Sequence, residues 1–228
     1  MCDHDLYSGL GTPYPNNPNG GEVNGLQATM AAIDFTVANY PTTHVFAHGT
    51  SAGSVGVFSV ASSFATEGSP LTGIVADSYI ITPRILPINE AYAGAPGYPL
   101  AGPFDSQDVI DKVGFFLDPE LLAYPEARVS DGFTDVPMLF IGGDTDPFCA
   151  GNQLPIAEAT AAGLNNCDWL FDGLRQVIAD QPDSPHQTSI IDGYGHIPTN
   201  YVSPANDIVD DFIGEILSTN PPYPFGAN

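Results

Sequence analysis

Three residue types in this chain, each beyond a strand-like run, can combine into nucleophilic chemistry. Ser51 lies in Gly49-Thr50-Ser51-Ala52-Gly53, after the strand-like Thr43-His44-Val45-Phe46-Ala47 and ahead of a helical pattern. Flanking glycines let the chain turn so sharply that the serine hydroxyl stands free at the edge of a sheet. A hydroxyl is a poor nucleophile near neutrality, so an imidazole must take its proton and a carboxylate must fix the tautomer of that imidazole. His196, closing Asp192-Gly193-Tyr194-Gly195-His196, is the expected base. Asp146, in Gly142-Gly143-Asp144-Thr145-Asp146-Pro147, is the expected acid, one turn beyond its strand. Asp144 is expected to pin that loop, and Asp77, which also follows a strand, is the alternative acid. A developing oxyanion needs two N–H donors. Ala52, at the start of the helix after Ser51, supplies one, and Gly9 or Leu10 is the candidate for the second.

His48 sits too close to Ser51 on the same turn to act as its base, and is expected to line the pocket. His4, His44 and His186 are left as surface or satisfied core histidines. Tyr79, Phe148, Trp169 and Tyr194 are the aromatic candidates for an apolar substrate floor, although side chains of this kind more often belong to a core.

The elements that must hold these residues follow from periodicity. Val23, Leu26, Met30, Ile33 and Val37 recur at helical spacing, as do Val55, Phe58, Ala61 and Phe64 after the serine. Gly73 to Ala76 and Val136 to Ile141 are continuous apolar runs, as in parallel strands covered on both faces. Thr188 to Ile191 reads as a fourth strand. Helices are expected over Ile156 to Ala162, Trp169 to Ile178 and Ile208 to Leu217, the last after the start signal Ser203-Pro204. The strand of residues 43–48 is expected to end at Ala47 or His48, and residues 9–21 read as turn chemistry throughout. Alternation of this kind means a single α/β domain over residues 1–228, with a mostly parallel sheet and flanking helices. Residues 82–135, rich in proline and with a modest helix around Val109 to Phe116, are expected to form a lid-like insertion. Residues 219–228 read as an extended tail.

Four Lys plus Arg against 27 Asp plus Glu give a formal charge of -23, which repels nucleic acid and anionic membranes and excludes both as partners. No apolar run reaches the roughly 18 residues of a membrane span. The first residues show neither a basic leader nor an apolar core, so no signal peptide is visible, and an odd Cys2 beside Met1 hints that the chain starts inside a longer gene product. Cys149 and Cys167 are placed to close a short loop, which would indicate an oxidising, secreted setting.

The order Ser, Asp, His is that of an α/β-hydrolase sheet, not of trypsin-like or subtilisin-like enzymes, and over most of residues 23–218 the chain resembles the serine esterases of that superfamily. Cys2-Asp3-His4-Asp5-Leu6-Tyr7-Ser8-Gly9, Gly49-Thr50-Ser51-Ala52-Gly53 and Ala76-Asp77-Ser78 are similar to the pectin acetylesterase and Notum group. The Gly-Gly-Asp-Thr-Asp-Pro segment around Asp146 looks more like general esterases and polyester hydrolases. The glycine-rich oxyanion loop and the early strands of the superfamily are absent. The resemblance implies hydrolysis of carboxylic esters by Ser51, His196 and Asp146 through an acyl-serine, without cofactor or metal. Bulky or aromatic esters, including polyesters, are the expected substrates, with acetyl esters on polysaccharide as the alternative. A non-catalytic binding domain that keeps the turn but lacks the oxyanion half is the reading of another class. A sheet without early strands also exposes the edge of the strand at residues 43–48, which pairing with another chain or cover by the first eight residues would hide.

Overall fold

A computed structural model describes residues 12–13, 22–23, 25–64, 69–79, 82, 84, 88, 136–149, 155–181, 183–201 and 203–219. Strands β3 (Phe46–Thr50), β4 (Gly73–Asp77), β5 (Met138–Gly143) and β6 (Gln187–Ile191) form one parallel sheet in the order β3-β4-β5-β6. Ahead of it come a two-residue antiparallel pair, β1 (Thr12–Pro13) with β2 (Glu22–Val23), and helix α1 (Gly25–Asn39). Helix α2 (Ala52–Phe64) joins β3 to β4. Helices α3 (Ala157–Ala162) and α4 (Asn166–Ala179) lie between β5 and β6, and α5 (Pro204–Thr219) ends the described chain.

Parallel neighbours require crossovers, and crossovers put helices on both faces of a sheet. The strand residues divide accordingly. Ile74, Ala76, Met138 and Phe140 are buried toward one face with Leu26, Phe58, Leu170 and Phe171, under α1, α2 and α4. Val75, Leu139, Ile141 and Ile191 are buried toward the other, with Ala205, Phe212 and Ile216 of α5. Every residue of β4 and β5 is buried, which is why both read as unbroken apolar runs. The result is a three-layer α/β arrangement, a mostly parallel sheet with helices on both faces.

Helix α2 carries serines at positions that packing makes apolar. Ser59 and Ser62 are buried, and each donates to its own helix, to Val55 O at 2.7 Å and Phe58 O at 2.8 Å, so that no hydroxyl is left to seek water. Two further helices start on a side-chain hydrogen bond. Asn165 accepts the Asp168 N–H at 2.7 Å ahead of α4, and Ser203 Oγ accepts the Ala205 N–H at 3.2 Å ahead of α5.

The structure moves several expected boundaries. β3 runs on through Gly49 and Thr50, because Thr50 still pairs with Asp77 in register, and it starts at Phe46, leaving His44 ahead of it. Within 9–21, Thr12–Pro13 forms strand pairing. α5 includes Thr219, so any tail begins later. Arg84 and Ile88 aside, the lid-like segment beyond Thr82, with its helix near 109–116, lies outside the described residues, as do Cys2, His4, Gly9 and Leu10. In the four-stranded sheet of the described residues β3 is an edge. Among the described residues no helix is long and apolar enough to cross a membrane.

Candidate functional site

Ser51 stands where β3 turns into α2. Its φ is 52°, in the left-handed region that costs a residue with a Cβ about 1 kcal/mol or more. The turn is this tight because backbone passes directly over backbone: a Cβ on Gly49 would lie 1.9 Å from Gly53 O. Only glycine fits there, and the serine is left projecting from the rim.

The turns after β5 and β6 reach the same rim. Asp146 is 2 % exposed, and it begins a single 3-10 turn, Pro147–Cys149, that leads into the disulfide between Cys149 and Cys167. That bond ties the turn after Asp146 to the first turn of α4. After β6, the chain turns through Gly193 and passes over Gly143 so closely that a Cβ there would lie 2.1 Å from Tyr194 O. His196 is thereby delivered between the other two. Its Nε2 lies 2.8 Å from Ser51 Oγ and its Nδ1 lies 2.8 Å from Asp146 Oδ2. A carboxylate only accepts, so Nδ1 carries the proton and donates to Asp146; in the neutral ring Nε2 then accepts from the Ser51 hydroxyl. Asp146 Oδ1 accepts the Phe148 N–H at 2.9 Å, which holds the carboxylate in the plane the imidazole needs.

The competing carboxylates are occupied elsewhere. Asp144 Oδ1 accepts the Gly193 N–H at 2.6 Å and so pins the turn after β6, where its own loop was expected. Asp77 is fully buried and takes hydrogen bonds from the Thr199 N–H at 3.1 Å, the Thr199 hydroxyl and the Ser78 hydroxyl at 3.2 Å. It therefore bonds to the turn beyond His196 and not to the imidazole. Sequence reasoning missed this role, together with those of Ser78, Ile197 and Thr199. Ser78 Oγ accepts the Ile197 N–H at 2.8 Å. Ile197 has φ 58°, an outlier for a β-branched residue that costs roughly 1–3 kcal/mol and persists only where neighbours over-determine it.

The aromatic candidates separate. The Phe148 ring packs on His196, with centroids 4.6 Å apart. The Tyr194 ring lies 6.4 Å from that of Tyr201, which is 56 % exposed and which sequence reasoning did not single out. Tyr79 is a correction: it is 1 % exposed and packs edge-on against Phe58 and Phe140, because the residue two beyond a strand's end turned inward to the α2 face of the core. Trp169 is half-buried. It lies on α4 with the Arg84 guanidinium 5.0 Å above its ring, and its carbonyl accepts from Arg84 at 2.6 Å. An aromatic face beside one of the chain's few cations is satisfied by it. His48 is exposed on the edge strand, with Nε2 3.5 Å from Thr199 Oγ1, so it meets the turn after His196 instead of Ser51.

The backbone N–H of Ala52 follows Ser51 at the start of α2, where the helix dipole favours negative charge. Among the described residues no group of three or more His, Cys, Asp or Glu is arranged to hold a metal ion. A groove of about 290 Å³, lined by Pro137, Gln187, Phe212 and Glu215 among others, opens at the opposite, amino-terminal ends of β5 and β6.

No family model and no curated protein matches the chain. Solved structures with a similar backbone include an esterase of Pyrococcus furiosus, at 14% identity and a TM-score of 0.46, covering 86% of this chain and 62% of that one. A monoacylglycerol lipase of Paleococcus ferrophilus is similar at 13% identity and a TM-score of 0.45, covering 86% of this chain and 76% of that one. A hyperthermophilic esterase of Pyrobaculum calidifontis is similar at 14% identity and a TM-score of 0.47, covering 85% of this chain and 60% of that one. The chain thus spans less than two thirds of the length of the Pyrococcus and Pyrobaculum esterases.

Proposed function

We propose that the chain is a serine hydrolase of carboxylic esters. The observation that carries this reading is the unbroken chain Ser51 Oγ to His196 Nε2, His196 Nδ1 to Asp146 Oδ2, both at 2.8 Å. In the reaction, His196 takes the Ser51 proton as Oγ attacks the ester carbonyl. The negative oxygen of the tetrahedral species receives the Ala52 N–H, and Asp146 stabilises the imidazolium by staying ionised. His196 then gives its proton to the departing alkoxide, leaving acyl-serine and alcohol. Water, deprotonated by the same imidazole, attacks the acyl carbon; the carboxylic acid leaves and Ser51 recovers its proton. No cofactor enters this sequence.

Bulky or aromatic esters, polyesters among them, are the substrate class we favour over acetyl esters of polysaccharide. Phe148 against the imidazole supports it, since a flat apolar surface beside a nucleophile is matched by flat apolar acyl or alcohol groups. The Cys149–Cys167 bond supports a secreted or otherwise oxidising setting, and the position of β3 at the sheet edge among the described residues supports pairing between copies of the chain.

A fluorophosphonate probe tests the mechanism. Wild type should be labelled at Ser51, and Ser51→Ala should neither be labelled nor hydrolyse p-nitrophenyl esters. An unlabelled wild type, or an active Ser51→Ala, refutes the reading. A panel of short-chain, long-chain, aromatic and acetylated-sugar esters then decides the substrate class.

A further inference from the structure

We propose that Asp77 is a positioning residue: through Thr199 and Ser78 its buried carboxylate locks the turn that carries His196. The proposal rests on the ester-hydrolase reading for its kinetic readout, though not for its spectroscopic one.

Asp77 lies at the last pair of the β4 ladder, opposite Thr50, and is fully buried. A buried carboxylate must have its lone pairs filled, and the groups that fill this one come from the site. Oδ2 accepts both the N–H and the hydroxyl of Thr199, three residues after His196. Oδ1 accepts the Ser78 hydroxyl, and the oxygen of that hydroxyl accepts the N–H of Ile197, the peptide directly after His196. The turn from 197 to 199 is therefore held at both ends from one anionic group. Both backbone residues at the Ser78–Ile197 contact have left-handed φ, 59° and 58°. Neither conformation is one the isolated chain favours, so the hydrogen bonds must supply the preference. The Asp77 carbonyl also accepts the N–H of Ser51 at 2.9 Å. One residue thus touches the turn that presents the nucleophile through its main chain and the turn that presents the base through its side chain. His48 joins the far end of this network through Thr199.

Asparagine in place of Asp77 turns one acceptor into a donor, facing either the Thr199 or the Ser78 donors. The turn must then shift, and His196 with it. The carboxylate does not touch the imidazole, so the loss appears in rate and not in binding.

The test compares wild type with Asp77→Asn, Thr199→Val and Thr199→Ser. Turnover of a p-nitrophenyl ester is normalised to fluorophosphonate-titrated sites, and the downfield proton resonance of His196 Nδ1–H is recorded on each. Asp77→Asn should lower kcat about 10- to 100-fold with little change in KM, as expected of a base displaced by a fraction of an ångström, and should broaden or abolish the resonance. Thr199→Val should fall part of the way, and Thr199→Ser, which restores the hydroxyl, should match wild type in both. Wild-type kcat per titrated site and an unchanged resonance in Asp77→Asn overturn the proposal, as does a Thr199→Ser that loses as much as Thr199→Val. If Asp77→Asn does not fold, the two Thr199 variants decide by the same criteria. An inert, unlabelled wild type sinks the ester-hydrolase reading alone, because the resonance still reports whether Asp77 and Thr199 hold His196 against Asp146.

Discussion

Gly143→Ala tests how much of the site depends on one close approach of backbone to backbone. The added Cβ would lie 2.1 Å from Tyr194 O and 2.3 Å from Gly195 O, where ordinary contact begins at 3.4 Å. Neither oxygen is the end of a flexible side chain, so the turn that precedes His196 must retreat by roughly 1 Å, and a displacement of that size costs about 10²-fold in rate when it reaches reacting groups. Both imidazole bonds are 2.8 Å long, and a shift of this size carries at least one beyond hydrogen-bonding range. Gly143→Ala should therefore lower kcat on a p-nitrophenyl ester by about 10²-fold or more while the protein remains folded by circular dichroism. Gly214→Ala, on α5 with nothing within 4 Å of the new Cβ, is the control and should gain up to about 1 kcal/mol of stability from helix propensity with unchanged kcat. A folded Gly143→Ala whose kcat stays within a factor of about three of wild type, well short of the expected loss, would refute the reasoning.

Asp146→Asn should lower kcat by about 10⁴ through the wrong imidazole tautomer, whereas Asp144→Asn loses one hydrogen bond to Gly193 and should stay within about tenfold; equal losses would reverse the assignment of the acid. Reducing the Cys149–Cys167 bond, which joins residues 18 apart, should cost about 3 kcal/mol by loop entropy, or about 6–12 °C in Tm for a chain of this size, read by calorimetry with and without reductant. Burial holds the Asp168 carboxyl above its ordinary value, and Asp144, Asp192 and Asp172 add to the rise against the pull of Arg175. A carboxyl that binds its proton more tightly in the folded state contributes stability below its unfolded value and loses that contribution as pH rises through the folded one. Asp168→Asn should therefore raise Tm at neutral pH, an advantage that fades as acid protonates the wild-type group in both states. A neutral-pH Tm below wild type would show that the pair with Arg175 matters more than burial.

What the sequence made legible was what depends on neighbours along the chain. β4 and β5 are covered on both faces, so nothing polar interrupts them and their apolar runs mark them directly. The Ser51 turn announces itself by glycines two residues either side, and the Asp146 position by a single turn after its strand. Contacts across long separations left no such mark. The partners of Ser78 and Asp77 lie 119 and 122 residues away, so an Asp-Ser pair after a strand could be read only as a spare acid and a small residue. Tyr79 was misread for the same reason. Composition supplies an aromatic ring, but only packing decides whether it meets Phe58 and Phe140, or Arg84, before it can meet a substrate. The end of β3 was set by pairing: Gly49 has little strand propensity of its own, and the chain runs on extended through Thr50 because Ala76 and Asp77 lie opposite.

The register that extends β3 also explains why three turns far apart in the chain meet at one rim. The residue just beyond each of the first three strands continues the ladder by one hydrogen bond to the next strand. Ser51 N–H donates to Asp77 O, Ser78 N–H to Ile141 O, and Asp144 N–H to Ile191 O. The turns that bear Ser51, Ser78 and Asp146 are thus each fastened at their first residue to the neighbouring strand. The turn bearing His196 is fastened from two sides, by Asp144 at Gly193 and by Asp77 at Thr199. A slip of one residue between two strands would turn alternate side chains to the wrong face of the sheet, and the buried apolar sets on the two faces forbid it. The geometry of the hydrogen-bonded chain from Ser51 to Asp146 is in this sense a property of the core. Substitutions that loosen packing between α2 or α5 and the sheet should disturb it before they unfold the chain.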